Sequence, residues 1–143
     1  MNQGSYNTEK DLVGFCGQYC RDCVYYKNVF GFRAHDLLNE IKTYPWVGMV
    51  WESLGAPFNT KEFVEALTWL ASSPGCLGCR AGAGWPECPI RICAQKNKVK
   101  GCYECSRYPC DILSKEEAAA QREFIEQIRN NGLEEYIKKK RGE

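Results

Sequence analysis

The chain has 143 residues, 44% of them hydrophobic, and its 19 Lys and Arg nearly balance its 18 Asp and Glu. That is the length of one ordinary domain, able to bury roughly 70% of the surface an unfolded chain exposes, and the balanced charge gives no reason to expect a polyanionic partner. No stretch approaches the roughly 20 apolar residues a membrane span requires.

Ten cysteines are the compositional outlier, and compartment decides their meaning. Residues Met1 to Asp11 are polar and lack the basic and apolar regions of a secretory leader. A cytoplasmic setting is therefore expected, where thiols stay reduced and metal binding is favoured over disulfides. Residues 1–10 read as a flexible lead-in to a single domain. A cysteine-rich metal-binding body over 16–110 carries a helical insert at 30–73, and a helical tail follows over 114–141. The expected fold class is mainly α with irregular cysteine-rich metal-binding loops, zinc-knuckle-like turns and little or no β-sheet.

Cys16, Cys20 and Cys23 come first. In the insert, Phe30, Ala34, Leu37, Leu38 and Ile41 recur at helical spacing and predict one apolar stripe. Tyr44-Pro45 should stop that helix, because a residue before proline avoids the helical region. Trp46 to Leu54 is apolar and aromatic, and its periodicity does not separate helix from strand. A second helix opens at Asn59 or Thr60, with Glu62 and Glu65 in its first turns where the dipole favours anions. Phe63, Ala66, Leu67, Leu70 and Ala71 make its buried face, and Ser73-Pro74-Gly75 ends it. The four tryptophans and the Tyr44–Trp51 segment read as core, with a docking surface as the alternative.

Seven cysteines follow: Cys76, Cys79, Cys88, Cys93, Cys102, Cys105 and Cys110. Three pairs, Cys20/Cys23, Cys76/Cys79 and Cys102/Cys105, have two residues between the thiols, the spacing that lets one tight turn offer both sulfurs to a single ion. Gly78 sits where the chain must fold sharply. Ala81-Gly82-Ala83-Gly84-Trp85 reads as a flexible connecting loop. Cys88 precedes Pro89 and is a plausible cap for a helix through Ile90, Ile92 and Cys93. Cys110 follows Pro109 at the start of Asp111-Ile112-Leu113. Helix N-termini favour thiolate over thiol. Arg91 and Arg107 are either partners for thiolate charge or surface arginines.

In the tail, Ser114 and Glu117 predict a capping box. Phe124, Ile125 and Ile128 form the apolar face, and Asn131-Gly132 is the stop. A last helix runs through Leu133, Tyr136 and Ile137 into Lys138-Lys139-Lys140-Arg141, a basic run that suits a helix C-terminus and solvent.

Two four-thiolate sites use eight of the cysteines. Chain order suggests Cys76, Cys79, Cys88 and Cys93 as one, and Cys20, Cys23, Cys102 and Cys105 as the other, with Cys16 and Cys110 left as extra ligands, bridges or free thiols. Crossed groupings are equally allowed by spacing. Structural zinc contributes on the order of 10–16 kcal/mol per site, more than the net stability of many domains. Two zinc ions, each site carrying about −2, would turn the formal +1 into about −3. That counts against nucleic-acid binding through Lys96, Lys98, Lys100 and the basic tail.

Cys16-x3-Cys20-x2-Cys23 also spells the three-cysteine pattern with which radical S-adenosylmethionine enzymes hold a four-iron cluster. Those enzymes need a longer chain of alternating strands and helices. A plain iron-sulfur carrier is the stronger rival to zinc, since thiolates serve both, but the ferredoxin-type cysteine run is missing. Catalytic equipment is scarce. His35, the sole histidine, lies beside Asp36 on the first insert helix and reads as structural or solvated. All-cysteine sites are usually closed. The expectation is a zinc-supported protein-interaction module rather than an enzyme, with a redox or metal-handling role through Cys16 or Cys110 as the alternative.

These motifs resemble domain of unknown function 3795, a family of small cysteine-rich microbial proteins. The resemblance rests on Cys16-Gly17-x-x-Cys20-x-x-Cys23, Cys76-x-Gly78-Cys79-Arg80 and Cys88-x-Ile90-Arg91-x-Cys93-Ala94. It continues with Cys102-x-x-Cys105-x-x-Tyr108-Pro109-Cys110-x-x-Leu113. It implies that all ten cysteines act as one set, brings no established activity, and leaves the tail outside.

Overall fold

A computed structural model describes residues 8–143. Most of the expected flexible lead-in lies outside the described residues; of the rest, Glu9–Leu12 is a 3-10 turn. Helices dominate: α1 (Val29–Thr43), α2 (Val47–Ser53), α3 (Thr60–Ala71), α4 (Pro89–Lys96), α5 (Ala119–Asn131) and α6 (Leu133–Arg141). Among the described residues there is no strand, only an isolated antiparallel bridge between Val13 and Tyr19.

The chain resolves into two compact units. One comprises Met1–Tyr26 with Cys76–Glu143; the other is Lys27–Gly75. The second unit is the helical insert, and every cysteine lies in the first.

In the insert, α1 stops at Tyr44 as the following proline dictates. The Asn59 side chain caps α3 by accepting from the Glu62 amide at 3.1 Å. Ala34, Leu38 and Leu67 form its small buried core, supported by Ile41, Phe63, Val64, Leu70 and Ala71. The Trp46–Leu54 segment, whose periodicity did not separate helix from strand, holds α2 (Val47–Ser53). Gly48 makes α2 possible against α3, since a Cβ there would stand 2.7 Å from Thr60 Cγ2. Trp51 packs edge-on against Phe58 and Phe63.

The sequence reading of the aromatics as core is overturned. Trp46, Trp69 and Trp85 are more than half exposed, as is Met49, and Tyr44, Phe30, Leu37 and Ala66 also face solvent. In the insert, three helices leave one side of Trp46 and Trp69 uncovered, and a unit this small cannot wrap it; Trp85 lies in the first unit.

In the first unit, Leu12, Val13, Tyr19, Leu113, Ile125, Ile128, Tyr136 and Ile137 pack together with Cys20 and Cys102. α5 and α6 bury Ile125, Ile128, Tyr136 and Ile137, as their spacing predicts. The expected capping box does not form. Ser114 donates to the Cys110 carbonyl at 2.9 Å, and a 3-10 turn, Glu116–Ala118, leads into α5. Arg122 closes this entry by donating to the Leu113 and Lys115 carbonyls.

Candidate metal centre

All ten cysteines carry free thiols. Their presentation follows from local backbone geometry. Cys20 and Cys102 each open a 3-10 turn, and in each the second cysteine closes it: the Cys23 amide donates to the Cys20 carbonyl at 2.9 Å, and the Cys105 amide to the Cys102 carbonyl at 3.2 Å. These two pairs are built alike. The Cys76/Cys79 pair is built differently. Gly78 has φ +98°, a conformation that favours glycine, and its amide donates to Cys76 Sγ at 3.3 Å. Cys79 then opens its own turn.

Cys16 rides a tight loop between the bridged residues Val13 and Tyr19. The Gly14 amide donates to the Gln18 carbonyl, and the Gly17 amide to the Gly14 carbonyl. Cys88 is the N-cap of α4 with Pro89 at its first position, as expected, although its side chain makes no cap hydrogen bond. Cys110 does not open a helix; Asp111–Leu113 is a turn whose end folds back onto the Cys110 carbonyl.

Two neighbourhoods result. Cys93, Cys102, Cys105 and Cys110 line one small cavity of about 20 Å³, together with side chains that include Val99 and Leu113. Asn97 Nδ2 donates to Cys93 Sγ at 3.4 Å. The other neighbourhood gathers around Cys16, Cys20, Cys76 and Cys79, with Cys23 and Cys88 beside it. The Cys102 amide donates to the Phe15 carbonyl at 2.8 Å, which brings Cys16 next to the cavity group as well.

This departs from the grouping that chain order suggested. Cys88 is the N-cap ahead of α4 and Cys93 lies inside the helix, where it lines the cavity that Cys88 does not reach. One helix therefore serves both neighbourhoods.

Burial dominates the acid–base chemistry. It pushes the Cys20 thiol up to about 11 and the Cys79 and Cys102 thiols up to about 12, and neighbouring sulfurs add to each shift. Cys16 is raised by burial and then by Cys88 and Cys23, against the pull of the Gln18 amide. Arg91 eases the penalty at Cys79. Buried thiols crowded together hold their protons at neutral pH; a divalent cation reverses that balance.

Arginines and the tail fix these loops. Arg80 donates from Nε to the Val13 carbonyl at 2.9 Å and from Nη2 to the Lys100 carbonyl and the Tyr103 hydroxyl, and lies 4.6 Å over the Phe15 ring. Arg91 is buried and donates to the Ala83, Trp85 and Pro86 carbonyls. The glycine-rich loop is thus pinned, which corrects its reading as a flexible connector. Arg107 is exposed.

From α5, Arg129 donates to the Cys105 carbonyl at 3.2 Å and lies over the Tyr108 ring. From α6, the buried Tyr136 hydroxyl donates to the Gly17 carbonyl at 2.8 Å. Lys140 pairs with Asp22, inside the Cys20–Cys23 turn, at 3.1 Å. The basic run is therefore not wholly solvated. Sequence reasoning missed Arg129, and named Arg80, Tyr136 and Lys140 without these contacts, because their targets are backbone carbonyls and loop carboxylates far along the chain. His35 is exposed in the unit that holds no cysteine, 3.3 Å from the Asn39 amide nitrogen.

Among the described residues, no three Cys, His, Asp or Glu side chains converge closely enough to hold an ion as they stand. The donor chemistry nevertheless fits a soft or borderline cation: four sulfurs around one small apolar cavity, with amide donors on Cys76 and Cys93.

The sequence profile of a family described as protein of unknown function (DUF3795) matches residues 12–115. The chain belongs to that family. No curated protein and no solved structure matches it. The family match spans every cysteine of this DUF3795 protein and ends before α5, so the tail that grips the Cys16, Cys20–Cys23 and Cys102–Cys105 loops lies beyond it.

Proposed function

We propose that this DUF3795 protein is a cytoplasmic zinc-binding protein whose thiolate sites are structural, and whose insert unit offers the contact surface for a protein partner. The observation that carries the metal reading is the cavity of about 20 Å³ ringed by Cys93, Cys102, Cys105 and Cys110. A cavity of that size admits one water-sized occupant, and four thiolates are a preferred zinc donor set. Binding draws the sulfurs inward and displaces their protons to solvent.

The contact surface is α2 and its flanks. Trp46, Met49, Val50 and Leu54 recur at helical spacing and are all exposed, while the opposite side of α2 packs Gly48 and Trp51 inward. A helix apolar on both sides calls for a second covering layer.

Protein purified anaerobically should carry zinc. Chelation should remove it together with much of the helical circular dichroism; unchanged ellipticity after complete removal would defeat a structural role. An iron-sulfur cluster is the competing occupant, and iron with acid-labile sulfide in place of zinc would establish it.

A further inference from the structure

The apolar face of α2 carries an inference about what covers it, which rests on the reading of the insert as a contact surface. Trp46, Met49 and Leu54 are 54%, 65% and 79% exposed, and Val50 and Tyr44 are open as well. Tyr44 extends the face, its ring standing edge-on to that of Trp46 at 6.0 Å. Together these five residues leave on the order of 600 Å² of largely apolar surface uncovered, the upper end of what a monomer shows in one patch. Two such faces laid together remove about 1,200 Å² from water, the lower end of the range for a specific interface.

Charge and symmetry select the occupant. Glu52 is the sole charged side chain in residues 43–58, so a partner recognised through charge has almost nothing to grip. A helix lying on an anionic lipid surface carries Lys and Arg on its polar side, and α2 carries neither. A two-fold pairing has the opposite requirement. Side chains near the axis meet their own copies, so a charged face repels itself and an uncharged one does not. The order of residues suits that symmetry too: Trp46 and Leu54 flank α2 at its two ends, with Met49 and Val50 between them.

We propose that the insert unit pairs two copies of this chain through their α2 faces, antiparallel about a two-fold axis. One copy's Trp46 then lies on the other's Leu54, and the reverse, with Met49 and Val50 at the axis. The pairing is reversible. Ala34, Leu38 and Leu67 form the insert's core without using this face, so each copy stays folded in dilute solution, where Trp46 and Leu54 add nothing to its stability.

The test is sedimentation velocity of the full zinc-loaded chain under reductant across the micromolar range, with hydrogen exchange followed at the lowest and highest concentrations. Monomer should pass to dimer as concentration rises, with protection gained in residues 44–54 and none in α5. Met49→Glu sets two carboxylates at the axis. A two-fold interface feels each substitution twice, so a loss of roughly tenfold per copy becomes about a hundredfold in association. Trp85→Ser, also at an exposed tryptophan but in the first unit, should leave association unchanged. A monomer at every concentration would overturn the pairing while leaving the insert as a surface for a different protein. A dimer that Met49→Glu does not weaken, or whose protection falls outside α2, would overturn it as well. Zinc content measured on the same samples keeps the metal reading separate. If Met49→Glu fails to fold, the concentration dependence and the location of protection in the unaltered chain still decide the matter.

Discussion

Replacing Arg80 with alanine tests whether one side chain holds the Cys16 loop, the Cys79 turn and the Cys102 stretch together. Arg80 donates to the Val13 carbonyl, the Lys100 carbonyl and the Tyr103 hydroxyl, and stacks on Phe15. Val13 is fully buried, so its carbonyl finds no water when the guanidinium is gone. A buried acceptor left unsatisfied costs about 1–3 kcal/mol. The more exposed bond to Lys100 adds little, and the lost stacking adds about 0.5–1 kcal/mol. The expected loss is about 3 kcal/mol, equivalent to roughly a 1–3 M fall in urea midpoint at the slopes usual for small proteins. Arg80→Lys should recover only part of it, because an ammonium is a point charge and cannot span the same three acceptors. The assay is urea unfolding at matched zinc loading, followed by circular dichroism, with slope as well as midpoint recorded. A loss below about 0.5 kcal/mol with an unchanged slope would show that Arg80 is an ordinary surface arginine and that something else positions the loops.

Tyr136→Phe removes the buried hydroxyl that donates to the Gly17 carbonyl and should cost about 1–2 kcal/mol in the same unfolding assay. Gly17→Ala should cost more, since Gly17 has φ +84° and a Cβ would stand 2.9 Å from Phe124 Cβ; a neutral result would dissociate the tail from the Cys16 loop. Trp46→Ser and Leu54→Ser should each change stability by less than about 0.5 kcal/mol, as exposed positions do, whereas Leu67→Ala should cost about 2–5 kcal/mol; equal losses would place the aromatics in the core after all. Tyr19 is pushed up to about 12 by burial and by its hydrogen bond to Glu9. A raised phenol contributes stability that is complete below its ordinary 10.0 and is lost as pH rises toward 12, so absorbance at 295 nm should show Tyr19 ionising late together with the other raised phenols Tyr103, Tyr108 and Tyr136, with stability falling across that window. Zinc affinity should keep rising with pH well above 9, because each raised thiol must shed a proton first; a plateau near pH 8 would contradict the burial of these sulfurs.

Apart from α2, where the Trp46–Leu54 pattern does not separate helix from strand, the helices were legible because each is written in local chemistry: Tyr44-Pro45 ends α1, Asn59 caps α3, Cys88-Pro89 starts α4 and Gly132 parts α5 from α6. The Ser114–Glu117 capping pattern misled, because Ser114 has a nearer acceptor in the Cys110 carbonyl and a local motif yields to such competition. The three paired cysteines were equally plain, since their geometry is set within four residues. Which pairs meet was not legible. Cys93 lines the cavity and Cys88, at the N-cap of the same helix, does not, and Cys93 reaches Cys110 only through the path of the intervening chain. Surface exposure of Trp46 and Trp69 was hidden for a different reason: composition does not reveal that the insert forms a unit of its own with so small a core.

The most direct measurement is the metal content of anaerobically purified protein, taken alongside a count of thiols that react without denaturant. Tightly bound zinc, with most of the ten cysteines shielded until a chelator is added, is the expected result. A folded chain with no bound metal and thiols that stay unreactive through burial alone would contradict it.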